Sequence, residues 1–185
     1  MSRRSFQHLR IALWILLGAF VLGGTWLTRF GTRWPTIYTM TGPSMEPTLS
    51  ANEYFVAWSP PGTLRRGDLV IFQFIDEDDE EFHVLRRLVG LPGDTVSMMD
   101  GEVFVDGVRQ PWPYQVTNAA AWRSELAIEG HLFTWAPWIV PRDSVVLLAD
   151  LRDMMGWPDS RFVGFVARED ILARATRTVQ GRRLR

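Results

Sequence analysis

Apolar residues come in short runs from Tyr38 onward, each closed by glycine, proline or acidic residues. "EYFVAW" (53–58) is apolar and aromatic, and "SPPGTLRRGD" then turns the chain through Pro60, Pro61 and Gly62. "DLVIFQF" (68–74) reads as a mostly buried strand and "FHVLRRLVG" (82–90) as the next. "TVSMM" and "EVFVDG" flank Asp100-Gly101, a pair suited to a tight hairpin turn. "SVVLLAD" (144–150) and "RFVGFVA" (161–167) resume the sheet. "REDILARATRTV" reads as a short helix followed by a last strand. No long amphipathic helix interrupts these runs, and no strand–helix alternation supports a doubly wound sheet. The pattern predicts a mainly β, barrel-like domain.

Two stretches depart from it. Residues 11–28, "IALWILLGAFVLGGTWLT", carry no charge. As a helix they would rise about 27 Å, close to the hydrocarbon thickness of a bilayer. Trp14 and Trp26 lie near the ends, where aromatic rings favour the interface. A retained membrane anchor is expected, with a cleaved signal peptide and a buried core helix as the alternatives. Arg3, Arg4 and Arg10 precede the span, while Arg29 and Arg33 follow it. That slight bias favours an inner-membrane, single-pass chain with its amino end in the cytoplasm and its large domain outside. The second departure is 108–142, rich in proline and holding Trp112, Trp122, Trp135 and Trp138. It is expected to be a small insertion on the main sheet, with a helical turn or two at "AAAWRSELA". The predicted division is a cytoplasmic N-terminus at 1–10, the anchor at 11–28, a core domain at 35–107 and 143–180, the insertion at 108–142, and a frayed polar tail at 181–185.

Composition narrows the function. Formal net charge is -1, which gives no reason to expect a nucleic-acid partner. There is no cysteine, so disulfide and thiolate chemistry are excluded. His8, His83 and His131 are scattered, and no metal-ligand spacing appears. The six acids from Asp76 to Glu81 read as a solvated hairpin loop without a calcium-binding motif. Neither a cofactor nor a metal is expected. All twenty basic residues are arginine, and the chain has no lysine.

The stretch "TMTGPSMEPTL" (39–49) sets Ser44 between prolines. Such a serine is either a turn residue or a nucleophile, and a nucleophile needs a proton acceptor. "GPSMEPTL" (42–49), "RRGDLVIF" (65–72), "RRLVGLPGD" (86–94) and "DSRFVGFV" (159–166), in that order, resemble the boxes of bacterial type I signal peptidases, S26-type serine proteases with a Ser/Lys dyad. The resemblance implies a signal-peptidase-like β domain behind one anchor. It places Ser44 at the nucleophile and Arg86 at the general-base lysine, with Arg87 as the arginine that follows. Gly42 falls where some relatives carry a serine hydroxyl that helps the oxyanion. Met45 is expected to be buried or at the membrane surface.

Arginine stays protonated and offers no acceptor, so Arg86 is not competent as a base. His83 is the alternative base, but it stands three residues earlier, on the opposite face of an unbroken strand and about 10 Å away. His131 has weaker grounds. Asp150 and Asp159 are unorthodox candidates whose family places suggest structural pairing. Where the family has a polar loop supporting the lysine, this chain reads "ADLRDMMGWPDSR" (149–161). Ala149, Leu151, Met154 and Met155 replace or displace that support, while Asp150, Asp159, Ser160 and Arg161 remain, consistent with an Asp159–Arg161 network. The expected function is a degenerate, non-catalytic binding or scaffolding subunit of a membrane assembly. The alternative is an active endopeptidase cutting small-x-small sites in exported preproteins with a non-standard base. Expected partners are the lipid bilayer and either another membrane subunit or an exported preprotein.

Overall fold

The structure is a computed structural model that describes residues 13–20, 24, 33–117, 134–153 and 158–184. The chain divides into two compact units, Met1–Trp34 and Pro35–Arg185. In the first, residues 13–20 are helical. Among the described residues no helix is long and apolar enough to cross a membrane. The expected 11–28 span lies mostly outside them.

The second unit is built from strands β1 (Trp34–Thr39), β2 (Tyr54–Ser59), β3 (Leu69–Ile75), β4 (Glu81–Gly90), β5 (Thr95–Met99), β6 (Glu102–Val105), β7 (Val108–Arg109), β8 (Trp135–Ile139), β9 (Ser144–Leu148), β10 (Val166–Ala167) and β11 (Ile171–Thr178). A seven-stranded sheet runs β1-β2-β11-β3-β4-β9-β10, and a four-stranded sheet runs β7-β6-β5-β8. The fold is mainly β, as the apolar runs predict. The acidic run forms the turn between β3 and β4, and Asp100-Gly101 turns β5 into β6 with both residues at positive φ. The last expected helix is a single 3-10 turn, Arg168–Asp170, leading into β11. The four-stranded sheet takes β7 and β8 from within 108–142 and β5 and β6 from before it.

Period-two alternation gives the large sheet two apolar faces. On β3, Leu69 and Ile71 join Met40, Met45, Leu49, Phe55 and Leu85 in one cluster, while Val70 and Phe72 join Val84, Leu88 and Leu147 in another. A third cluster ties the small sheet to the large one through Val89, Val96, Met98, Trp135, Val146 and Leu148. The long central pair fixes the site: β3 and β4 run antiparallel from Leu69↔Arg87 to Ile75↔Glu81 with no bulge.

Met45 takes the first of its two expected places: it is fully buried in the core, where the Ser44–Ser50 turn folds its side chain under β2 and β3. One expectation is corrected. The tail is not frayed through Leu184. Leu184 donates its amide to Thr176 and is buried against the Met45 cluster, and Arg182 bonds the Thr48 carbonyl and Glu53. Burial of Leu184 and the bonds of Arg182 together hold the end back.

Candidate active site

Ser44 is fully buried. Its position is set from both sides: the Glu46 amide donates to Pro43 in a tight turn, and the Leu151 amide donates to the Ser44 carbonyl. Gly42 is buried beside it. Arg86 approaches from β4 and donates from Nη1 to Ser44 Oγ at 3.1 Å. Its Nε donates to the Pro158 carbonyl at 2.9 Å, and Nη1 also donates to the carbonyl of Leu85. Arg86 is 1% exposed, and its Nη2 has no hydrogen-bond partner. Burial pushes the Arg86 guanidinium down to about 10, with the charge of Asp159 opposing and that of Arg161 adding to the shift. At neutral pH the group is therefore still a cation that donates to Ser44.

Behind this pair lie two well-satisfied ones. Arg87 grips Asp150 with Nε to Oδ1 at 2.8 Å and Nη2 to Oδ2 at 2.6 Å, and both side chains are fully buried. Thr48 Oγ1 accepts from Arg87 Nη2 and donates to Asp150, while Arg87 Nη1 donates to the Gly67 carbonyl. Gly67 has φ +88, and an added Cβ would stand 2.6 Å from Trp112 Nε1, so only glycine presents that carbonyl. In the second pair Arg161 forks onto Asp159, Nη2 to Oδ2 at 2.7 Å and Nε to Oδ1 at 3.1 Å. Asp159 also caps the short helix Ser160–Val163 and accepts from the Ala149 amide. Burial pushes the Asp159 carboxyl up, but the charge and hydrogen bonds of Arg161, with Arg86 and the Ala149 amide, hold it below the usual aspartate range. Ser160 Oγ accepts from the Leu147 amide. Asp150 and Asp159 are thus spent on arginines, and neither is hydrogen-bonded to Ser44.

A cavity of about 370 Å³ opens beside Arg86, and Ser44 itself is not among the residues that line it. Its wall includes Tyr38 and Thr39 of β1, Met40 and Thr41 just after it, apolar Phe55, Ile71 and Leu85, then Arg86 and Pro158. His83 lines it too. Alternation alone separates His83 from Arg86, but the long Arg86 side chain turns back onto its own strand at the Leu85 carbonyl. His83 is about half exposed, and its Nε2 lies 3.3 Å from Glu81 Oε1. Its recorded polar partner is therefore that carboxylate at the β3–β4 hairpin, and no bond to Ser44 accompanies it. His131 lies outside the described residues, as do Met154 and Met155.

Sequence reasoning missed Thr48 and the Pro158 carbonyl. The Thr48 hydroxyl sits in the "PTL" of the Ser44 box, a signal that was available. The Pro158 carbonyl is a backbone group and leaves no trace in residue type. Arg152 was missed as well. It is buried with Nη1 unpartnered, 5.7 Å from the centre of the Tyr114 ring, and burial pushes it down to about 10.

Residues 10–179 match the model of the signal peptidase, peptidase S26 family, and the chain belongs to that family. It is 35% identical over 120 residues to a signal peptidase I of Bacillus licheniformis, covering 62% of this chain and 61% of that relative. It is 33% identical over 138 residues to a probable signal peptidase I of Synechocystis, covering 71% of this chain and 57% of the relative. The chain therefore spans about three fifths of the length of these relatives. A crystal structure of a signal peptidase I from Enterococcus faecalis aligns at 25% identity and TM-score 0.42, over 60% of this chain and 95% of that one.

Proposed function

We propose that this chain is a signal-peptidase-I-like protein that holds an extended segment of an exported protein without cutting it. One observation carries the reading. The group hydrogen-bonded to Ser44 Oγ is a buried guanidinium that donates, where serine proteolysis needs an acceptor. With no lysine in the chain, and with Asp150 and Asp159 engaged by arginines, the described residues offer Ser44 no base. The apolar groove lined by Arg86 supports a binding role without that chemistry. A single-pass anchor at 11–28, an amino end in the cytoplasm, and a membrane-protein partner for the domain outside belong to the same proposal. They are supported by the uncharged span and its flanking arginines.

Cleavage of a preprotein by the full-length protein in detergent tests it, beside Ser44→Ala and Arg86→Lys. The expected result is no cleavage by the native chain. Native cleavage that disappears in Ser44→Ala establishes the enzyme reading instead. Activity gained by Arg86→Lys supports the proposal from the other side, because a lysine at that place can release its proton.

A further inference from the structure

The buried arginines around Ser44 are unequally provided for. Arg87 and Arg161 each hold a carboxylate through two nitrogens. Arg86 holds none. It spends Nε and Nη1 on two carbonyls and the Ser44 hydroxyl, and Nη2 stays unpartnered. The nearby carboxylates Asp150 and Asp159 act on it only through space. A buried cation with an unused nitrogen is costly unless an anion joins it. Arg86 and Pro158, whose carbonyl holds Arg86 Nε, both line the cavity, so the guanidinium end abuts its inner wall.

The rest of the wall describes what else the anion must carry. Met40, Phe55, Ile71, Phe74 and Leu85 are apolar. The charged or titratable side chains on the wall besides Arg86 are Tyr38, Asp76 and His83, so no second fixed cation invites a second negative charge. Residues Tyr38–Thr41 belong to or follow β1, which among the described residues has a neighbour on one side only. Its open edge offers backbone hydrogen bonds to an extended chain and nothing comparable to a fatty tail.

We infer that the groove takes an apolar peptide by its free carboxyl terminus, the terminal carboxylate pairing with Arg86 beside Ser44. This rests on the binding reading above and sharpens it: the occupant is a chain already cut, not one awaiting a cut. An internal peptide bond presents a neutral carbonyl that leaves the guanidinium uncompensated, whereas a carboxylate makes charge-assisted bonds to it.

Full-length protein in detergent is titrated by calorimetry with one short alanine–leucine peptide, as the free acid and as the C-terminal amide. The acid is expected to bind at least about tenfold tighter, the worth of a charge-assisted contact. Arg86→Met is expected to erase the difference while the amide still binds, and Arg86→Lys, which retains a cation, is expected to keep part of it. Circular dichroism and the Lys variant separate loss of the contact from loss of the fold. Equal binding of acid and amide to the native protein overturns the carboxylate inference and leaves the peptide-binding reading standing. Binding of neither form overturns both. Displacement by decanoate but not decanol, without binding of the peptide acid, shows that the occupant is a lipid acid and overturns the choice of a peptide.

Discussion

At the scale of single residues, adjacent arginines on β4 have opposite circumstances. Arg87 is a structural member: its fork closes on Asp150 and Thr48, and every partner is buried. Removing it leaves the Asp150 charge without its counter-ion. Arg87→Met is therefore expected to destabilise the domain by about 3–5 kcal/mol in urea unfolding. A change below about 1 kcal/mol would show that water replaces the guanidinium freely. Arg86 interacts with neutral groups, so the same substitution there removes an uncompensated charge along with three hydrogen bonds. Its loss is expected to cost clearly less than that of Arg87, and this ordering is the sharper test. Lysine can be deprotonated when buried, and arginine cannot.

At the scale of elements, Asp159 joins the end of β9 to the helix that follows it. Its carboxylate receives Arg161, the Arg161 amide and the Ala149 amide. Its folded-state pKa is depressed, so the ionised form contributes stability above the ordinary aspartate pKa. That contribution is lost as pH falls through the folded value. Asp159→Asn is expected to cost about 3–5 kcal/mol at pH 7, by the uncompensated-charge argument. The gap between native and variant is expected to narrow as pH drops below about 4. Denaturant midpoints measured from pH 7 down to 3 check both the size and the sign. A gap independent of pH would show that the loss is one of shape and not of charge. The β3–β4 ladder matters equally, since its unbroken register carries Arg86 to Ser44 and leaves His83 beside Glu81 at the exposed end.

At the scale of the second unit, the chain's end closes over its beginning. β11 lies between β2 and β3 in the large sheet, and the residues after it return to β11 through Arg177↔Arg183. Leu184 reaches the cluster of Met40, Met45 and Leu49, directly beneath the Ser44 turn. Leu184→Ala is expected to cost about 2–3 kcal/mol by thermal or urea unfolding, the lower range for a buried leucine truncation. An unchanged midpoint would show that the tail docks without contributing. The cluster of Met40, Met45 and Leu49 thus ties the turn that carries Ser44 to both the large sheet and the residues after β11.

Some of this was legible without coordinates. Short alternating runs and turn residues are local signals, so the mainly β class, the Asp100-Gly101 hairpin and the closing strand could be read from the residues in order. The absence of lysine is likewise a property of the sequence alone, and arginine's chemistry makes its consequence general. The resemblance in the four boxes suggested that Ser44 and Arg86 would meet. Tertiary structure decided the rest, because hydrogen-bond partnership among buried charges depends on which groups the fold brings together across long stretches of chain. Asp150 lies 63 residues from Arg87, and Pro158 lies 72 from Arg86. No local pattern says that both nearby aspartates are taken by other arginines and that Arg86 retains an unused nitrogen. Nor does hydropathy reveal that Met45 turns inward or that the polar tail is held by Leu184 and Arg182. Both follow from the space that β2, β3 and β11 leave between them, which exists only once the sheet has formed.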